Sequence, residues 1–153
     1  MSLWLTLHLI GVVLFAGNII TAAFWKVRAD AQKNPAVIHS TAQNVMLADY
    51  VFTLPGLLLI IASGIAMTAS RQIPLAGLNW LTVSLILLAV TGIIWLAVLL
   101  PLQRRMIRHS AACLQTGSIT EEYRQASRYW AIFGTAATLL PIAILYLMIS
   151  KNF

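Results

Sequence analysis

Four long apolar runs dominate the chain, at residues 3–25, 46–69, 78–100 and 129–150. A helix rises about 1.5 Å per residue, so roughly 20 residues cross a hydrocarbon core about 30 Å thick. Each run meets that length, and none shows the period-of-two alternation of a barrel strand. The pattern predicts an all-α integral membrane four-helix bundle, a single transmembrane domain over residues 1–153. No basic segment precedes the first run, and its first positive charges, Lys26 and Arg28, follow it. That polarity favours a retained span over a cleaved signal peptide.

Within the runs, polar and small residues are not scattered. At about 100° per residue, His8, Gly11, Phe15, Asn18 and Ala22 share one side of the first helix. Asp49, Thr53, Gly56, Ser63 and Met67 align on the second; Trp80, Ser84, Thr91 and Trp95 on the third; Trp130, Gly134, Thr138 and Pro141 on the fourth. Lipid disfavours such faces, so they are expected to meet inside the bundle. Gly56, Gly64, Gly92 and Gly134 read as sites of close helix packing. Pro55 and Pro141 read as bends, and Pro101 as the end of the third helix.

Between the runs, Asn34-Pro35 predicts a break between extensions of the first two helices. Thr116-Gly117-Ser118 predicts a turn, with Ser118 capping a new helix and Glu121 completing a capping box. The short 70–77 segment, with Pro74 and Gly77, predicts that the second and third helices are antiparallel neighbours.

Charge then orients the bundle. Lys26, Arg28, Lys33, Arg104, Arg105, Arg108, Arg124 and Arg128 lie between spans one and two or three and four, against only Arg71 and Lys151 on the other side. This bias predicts both termini outside the cytoplasm, N-out and C-out, in a multi-pass protein of a bacterial inner membrane. Composition agrees: 60% of the 153 residues are hydrophobic and 9% charged, against about 25% charged in soluble domains. Soluble enzymes and disordered chains are excluded. The net charge of +6 belongs to the loops, so it predicts anionic lipid at the cytoplasmic face, with Arg104, Arg105 and Arg108 as its contacts, and no nucleic acid.

Candidate chemistry is sparse. Cys113 is the single cysteine, which excludes an internal disulfide. Trp4, Trp25, Trp80 and Trp130 read as interfacial anchors, while Trp95 lies deeper. His39 and His109 fall in the loops as solvent or headgroup contacts, and Glu121-Glu122 reads as a solvated pair. Asp49 begins the second apolar run and reads as a helix N-cap, or else as the partner of a loop arginine or a proton acceptor. His8 is the sharpest feature: an imidazole in an apolar span ligates haem or a metal, relays a proton, or hydrogen-bonds a neighbouring helix. Gly11 would leave room for a flat ligand beside it. Asn18, about 15 Å deeper, would meet the ligand's far edge.

The run Leu7-His8-Leu9-Ile10-Gly11, Pro55-Gly56 with Ser63-Gly64, Trp80, Leu100-Pro101, Trp130 with Gly134, and Leu147-Met148-Ile149-Ser150-Lys151 together resemble an uncharacterised family of small four-helix bacterial membrane proteins. That family is similar in turn to copper-resistance D membrane domains and to HemJ-type protoporphyrinogen oxidases. The HemJ resemblance implies haem binding at His8. HemJ proteins carry a lysine four residues after the tryptophan that opens helix 3, where this chain has Ser84, so the resemblance does not carry the oxidation reaction. Three functions follow as expectations. The first is a haem b-associated redox protein with His8 as iron ligand and Gly11, Asn18, Ser84 and Trp95 lining the pocket. The second is an accessory or assembly subunit docking other membrane proteins or a second copy. The third is a small-solute transporter coupled to protons through Asp49.

Overall fold

The computed structural model describes residues 2–73 and 75–151. Four rods fill it, each long and apolar enough to cross a membrane. The first is α1 (Ser2–Gln32). The second is α2 (Pro35–Ala48) running through a π-helical turn, Asp49–Thr53, into α3 (Leu54–Arg71). The third is α4 (Trp80–Ile94), the π-helical turn Trp95–Leu99 and α5 (Leu100–Thr116). The fourth is α6 (Glu121–Ser150). No strand occurs among the described residues, and the molecule is an all-α membrane four-helix bundle.

The rods are longer than the apolar runs. Hydropathy measures the stretch that matches a bilayer, whereas a helix continues until its backbone is capped. Asn34 accepts the amide of Ala36 at 3.0 Å and sets Pro35 at the start of α2, the predicted break. Lys33 and Gln72, with φ of 53° and 50°, end their helices in the left-handed region. Gly117, φ 68°, ends α5, as the turn signal predicts. Two details differ from expectation. The cap of α6 is Thr120, whose Oγ1 accepts from Tyr123, rather than Ser118. Pro101 does not end the third helix but opens α5.

Pro55 and Pro101 explain the π turns. Proline has no amide to donate, and its ring clashes with the carbonyl four residues back. In each rod the chain inserts one wide turn just before the proline: Leu54 donates to the Asp49 carbonyl and Leu100 to that of Trp95. The rod then resumes with the proline inside its first turn. Asp49 and Trp95 both stand six residues before their prolines, at the first position of each wide turn.

Packing differs between the two ends. At the basic end α1, α2, α5 and α6 close a ring, each touching the next. Towards the termini α1 packs tightly on α3 and α4 on α6, but among the described residues α3 and α4 make no close backbone approach. The second and third rods are therefore neighbours, as expected, but they meet through α2 and α5 and across the two π turns rather than beside the short connection. Pro74, part of that expectation, lies outside the described residues. The tight crossing is between Gly11 and Gly56: a Cβ on Gly56 would stand 2.8 Å from the Phe15 amide nitrogen and 2.9 Å from the Gly11 carbonyl. Gly92 has open space around its Cα and Gly134 faces only its own Trp130, so neither is a close-packing glycine.

Candidate functional site

The four interior faces predicted from periodicity do meet, and their polar groups sort into three clusters. The deepest surrounds Asp49. Because α2 begins at Pro35, Asp49 lies in the middle of a rod rather than at a helix start, and the N-cap reading is corrected. It is 5% exposed. Its Oδ1 accepts from Asn18 Nδ2 at 2.9 Å and from Thr53 Oγ1 at 2.8 Å; its Oδ2 accepts from Gln103 Nε2 at 2.6 Å and from Trp95 Nε1 at 3.2 Å. Asn18 also donates to Thr53 Oγ1 at 2.9 Å. One carboxylate thus ties three rods together. No arginine pairs with it among the described residues.

The π turns make this possible. A wide turn displaces the residues at its start relative to a regular helix, and it is Asp49 and Trp95 that occupy those positions and bond to each other. Gln103 comes from the first turns of α5, beyond the apolar run, which is why span-based reading misses it.

Asp49, Trp95, Gln103, Thr91 and Trp130 line a narrow cavity, with about 40 Å³ of space for the centres of water molecules. Gln103 Oε1 and Trp130 Nε1 are buried there with no hydrogen-bond partner among the described residues. A wider groove of about 460 Å³ runs between α1 and α2 towards the basic end, and Ala22 and Val45 border both spaces. Asn18 lines that groove.

The second cluster joins α1 to α6. Lys26, only 3% exposed, forms an ion pair with Asp30 at 2.5 Å and donates to Ser127. Tyr123 and Ser127 also donate to Asp30, at 2.6 and 2.9 Å. The ammonium lies 5.4 Å from the centroid of the Trp130 ring, a cation–π distance. Lys26 is therefore an interior group rather than a loop charge, and Trp130, 7% exposed, is part of the core rather than an interfacial anchor. Trp4 and Trp25 are 42% and 61% exposed, as anchors require.

The third cluster is His8. Its Nδ1 lies 3.0 Å from Ser63 Oγ, and the Ser63 hydroxyl donates to the Leu59 carbonyl. With that single proton engaged, the Ser63 oxygen is free to accept from Nδ1, and the tautomer that uses it leaves the lone pair on Nε2. Gly64 runs beside the ring: a Cβ there would stand 3.8 Å from His8 Cε1.

Of the residues expected to share a pocket with His8, the structure places none against a common space. Gly11 is filled by the Gly56 backbone, so it leaves no room for a flat ligand. Asn18 is engaged by Asp49 and Thr53. Ser84 is buried and donates to its own helix at Trp80 O, 2.6 Å. Trp95 belongs to the Asp49 cluster. His39 is not a free loop contact: its Nδ1 lies 2.8 Å from Ser110 Oγ, between α2 and α5. Glu121 and Glu122 are exposed. No group of three metal-ligating side chains exists among the described residues.

A membrane bundle whose interior polar groups gather around a buried carboxylate, a buried ion pair and a histidine bonded to a serine is the class defined by these observations. A family model described as "Predicted integral membrane protein (DUF2269)" matches residues 2–152. The chain belongs to this family of multi-pass membrane proteins, as the helix-1, Pro-Gly and Ser-Gly motifs suggest. No curated protein and no solved structure matches the chain, so the comparisons add no link to HemJ-type oxidases or copper-resistance D domains.

Proposed function

We propose that the protein is a haem-associated membrane redox protein with His8 as an iron ligand. The supporting observation is the state of the imidazole. Ser63 holds Nδ1–H, so Nε2 presents its lone pair from an oriented neutral ring, the arrangement that ligating histidines use. Of the residues named for such a pocket, Gly11, Asn18, Ser84 and Trp95 are engaged elsewhere; His8 fits, with Ser63 as the partner of its ring. A bound haem b supplies one-electron chemistry. The residues hold and orient it, His8 directly and Ser63 through the ring.

His39 and His109 belong to the opposite end of the rods, so a second histidine from the same chain cannot reach the iron. Purified protein supplied with haem should therefore show a five-coordinate or weakly six-coordinate visible spectrum. His8→Ala should lose the pigment and keep its helical circular dichroism. Ser63→Ala should keep the pigment but bind it about 10–100-fold more weakly. Colourless wild-type protein after haem supply, or full pigment in His8→Ala, rules the reading out. The accessory-subunit and transporter readings then remain, distinguished by a fixed co-purifying membrane partner or by uptake into vesicles.

We also infer that the basic end faces the cytoplasm of a bacterial inner membrane, where exposed Arg104, Arg105 and Arg108 meet anionic headgroups. A reporter that works only outside the cytoplasm should be active when fused to the C-terminus. Activity of a cytoplasm-only reporter at that position would reverse the orientation.

A further inference from the structure

We propose that the cavity beside Asp49 binds a monovalent inorganic cation together with one or two of its waters. This site is separate from His8 and does not depend on the haem reading.

The argument begins with charge. Lys26, the other buried ionic group of this half of the bundle, is already neutralised by Asp30. Asp49 has no cationic partner within ion-pair distance among the described residues; its four contacts are neutral donors. A carboxylate has about four lone-pair directions, two per oxygen, and here each oxygen already takes two donors. With no lone-pair direction free, the carboxylate would act on an ion in the cavity through its charge and not as a direct ligand. A buried, uncompensated negative charge in a low-dielectric interior attracts a cation far more strongly than it would in water.

The cavity offers what such an ion needs. Gln103 is 3% exposed, and its Oε1 carbonyl oxygen lacks a partner. Thr91 and Thr138 line the same space and donate their hydroxyl protons to Leu87 and Gly134 carbonyls at 2.8 Å each, so their oxygens are left as acceptors. These are hard oxygen ligands, which suit alkali ions. Trp130 Nε1, 7% exposed as a residue and also unpartnered, is a donor and would repel a bare cation. It fits the oxygen of a water bound to the ion. The volume holds about two or three water-sized centres. A divalent ion is disfavoured, because calcium sites bring several carboxylates and Asp49 stands alone. The wider groove reaching Asn18 approaches the cavity from the basic end, and Ala22 and Val45 stand between the two.

The test is thermal melting of the purified protein in lipid nanodiscs, in sodium or potassium chloride against choline chloride at equal ionic strength and pH. Choline is too large for the cavity. The melting temperature should rise with one alkali ion and saturate. Asp49→Asn should remove the rise while keeping the fold, because Gln103 can turn its amide so that Oε1 accepts from the new side chain. Thr91→Val, close in size and removing no hydrogen bond to Asp49, should raise the saturating concentration about tenfold, as expected for loss of roughly 1.4 kcal/mol of binding. It decides the matter should Asp49→Asn fail to fold. Equal melting in sodium, potassium and choline would mean that the cavity holds water alone and would overturn the proposal. So would an alkali-ion rise that Thr91→Val leaves unchanged.

Discussion

Asp49→Ala should unfold the bundle in detergent or leave too little folded protein to purify. The substitution removes one acceptor group and its four hydrogen bonds: it strands the donors of Thr53, Trp95 and Gln103 and leaves Asn18 only its bond to Thr53. Each orphaned buried donor costs about 1–3 kcal/mol. Polar contacts between membrane helices measure lower, averaging about 0.6 kcal/mol, yet four of them acting together still exceed about 2 kcal/mol. Against a total stability of about 5–15 kcal/mol, either value is a large share. Asp49→Asn is the informative control, because its amide keeps one acceptor and can donate to Gln103 Oε1. The expected order of melting temperatures is wild type, then Asp49→Asn, then Asp49→Ala. An Asp49→Ala protein that melts like wild type would mean the carboxylate does not hold the three rods together.

Gly56→Leu should be about as damaging, for steric reasons. The first atom added already meets backbone, 2.8 Å from the Phe15 nitrogen and 2.9 Å from the Gly11 carbonyl. A flexible side chain could swing away, but a facing helix backbone cannot, so α1 and α3 must separate. Overpacking in a well-packed core costs about 1–3 kcal/mol, and here it also opens the Asn18–Asp49 contact lower on the same pair of helices. Gly64→Ala is the contrast within α3: its Cβ would find only ordinary contact, 3.8 Å from His8 Cε1. Size-exclusion profiles should show Gly56→Leu aggregated or absent and Gly64→Ala unchanged. Equal profiles would show that the crossing can open without loss.

How these two sites arise separates what a linear pattern carries from what packing adds. Apolar run length and the helical period are local properties, and they determine that there are four spans and which face of each turns inward. His8, Asn18, Ser63, Ser84 and Trp95 are on interior faces for that reason. The Gly11–Gly56 crossing was legible from one side only. Gly56 marks a place where a helix approaches closely, but the sequence does not say that Gly11 is what approaches it, and Gly11 reads equally as room for a ligand.

The partners of Asp49 were not legible at all. Hydropathy begins the second span near residue 46 and makes Asp49 look like a cap, because the polar Pro35–Ala48 segment stays helical without being apolar. Gln103 sits beyond the third apolar run for the same reason. The prolines at 55 and 101 announce a disturbed backbone, though not whether it bends or widens into a π turn. That choice depends on whether neighbouring rods reward the displaced residues, which Asp49 and Trp95 achieve by bonding to each other. Lys26 reads as a solvated loop charge until α6 brings Ser127, Tyr123 and Trp130 against it, a contact about 100 residues away along the chain.

By itself the sequence determined an all-α bundle of four membrane spans, the asymmetry of charge between its ends and the inward face of every helix, since each follows from residue type at a fixed helical pitch. The tertiary structure alone decided that the second and third rods part towards the termini, that Gly11 is filled by backbone, that His8 is held by Ser63, and that Asp49 gathers donors from three rods beside a cavity. Those outcomes depend on rod-to-rod register and on two wide turns, and a shift of one residue in either rod would bring a different side chain to the carboxylate.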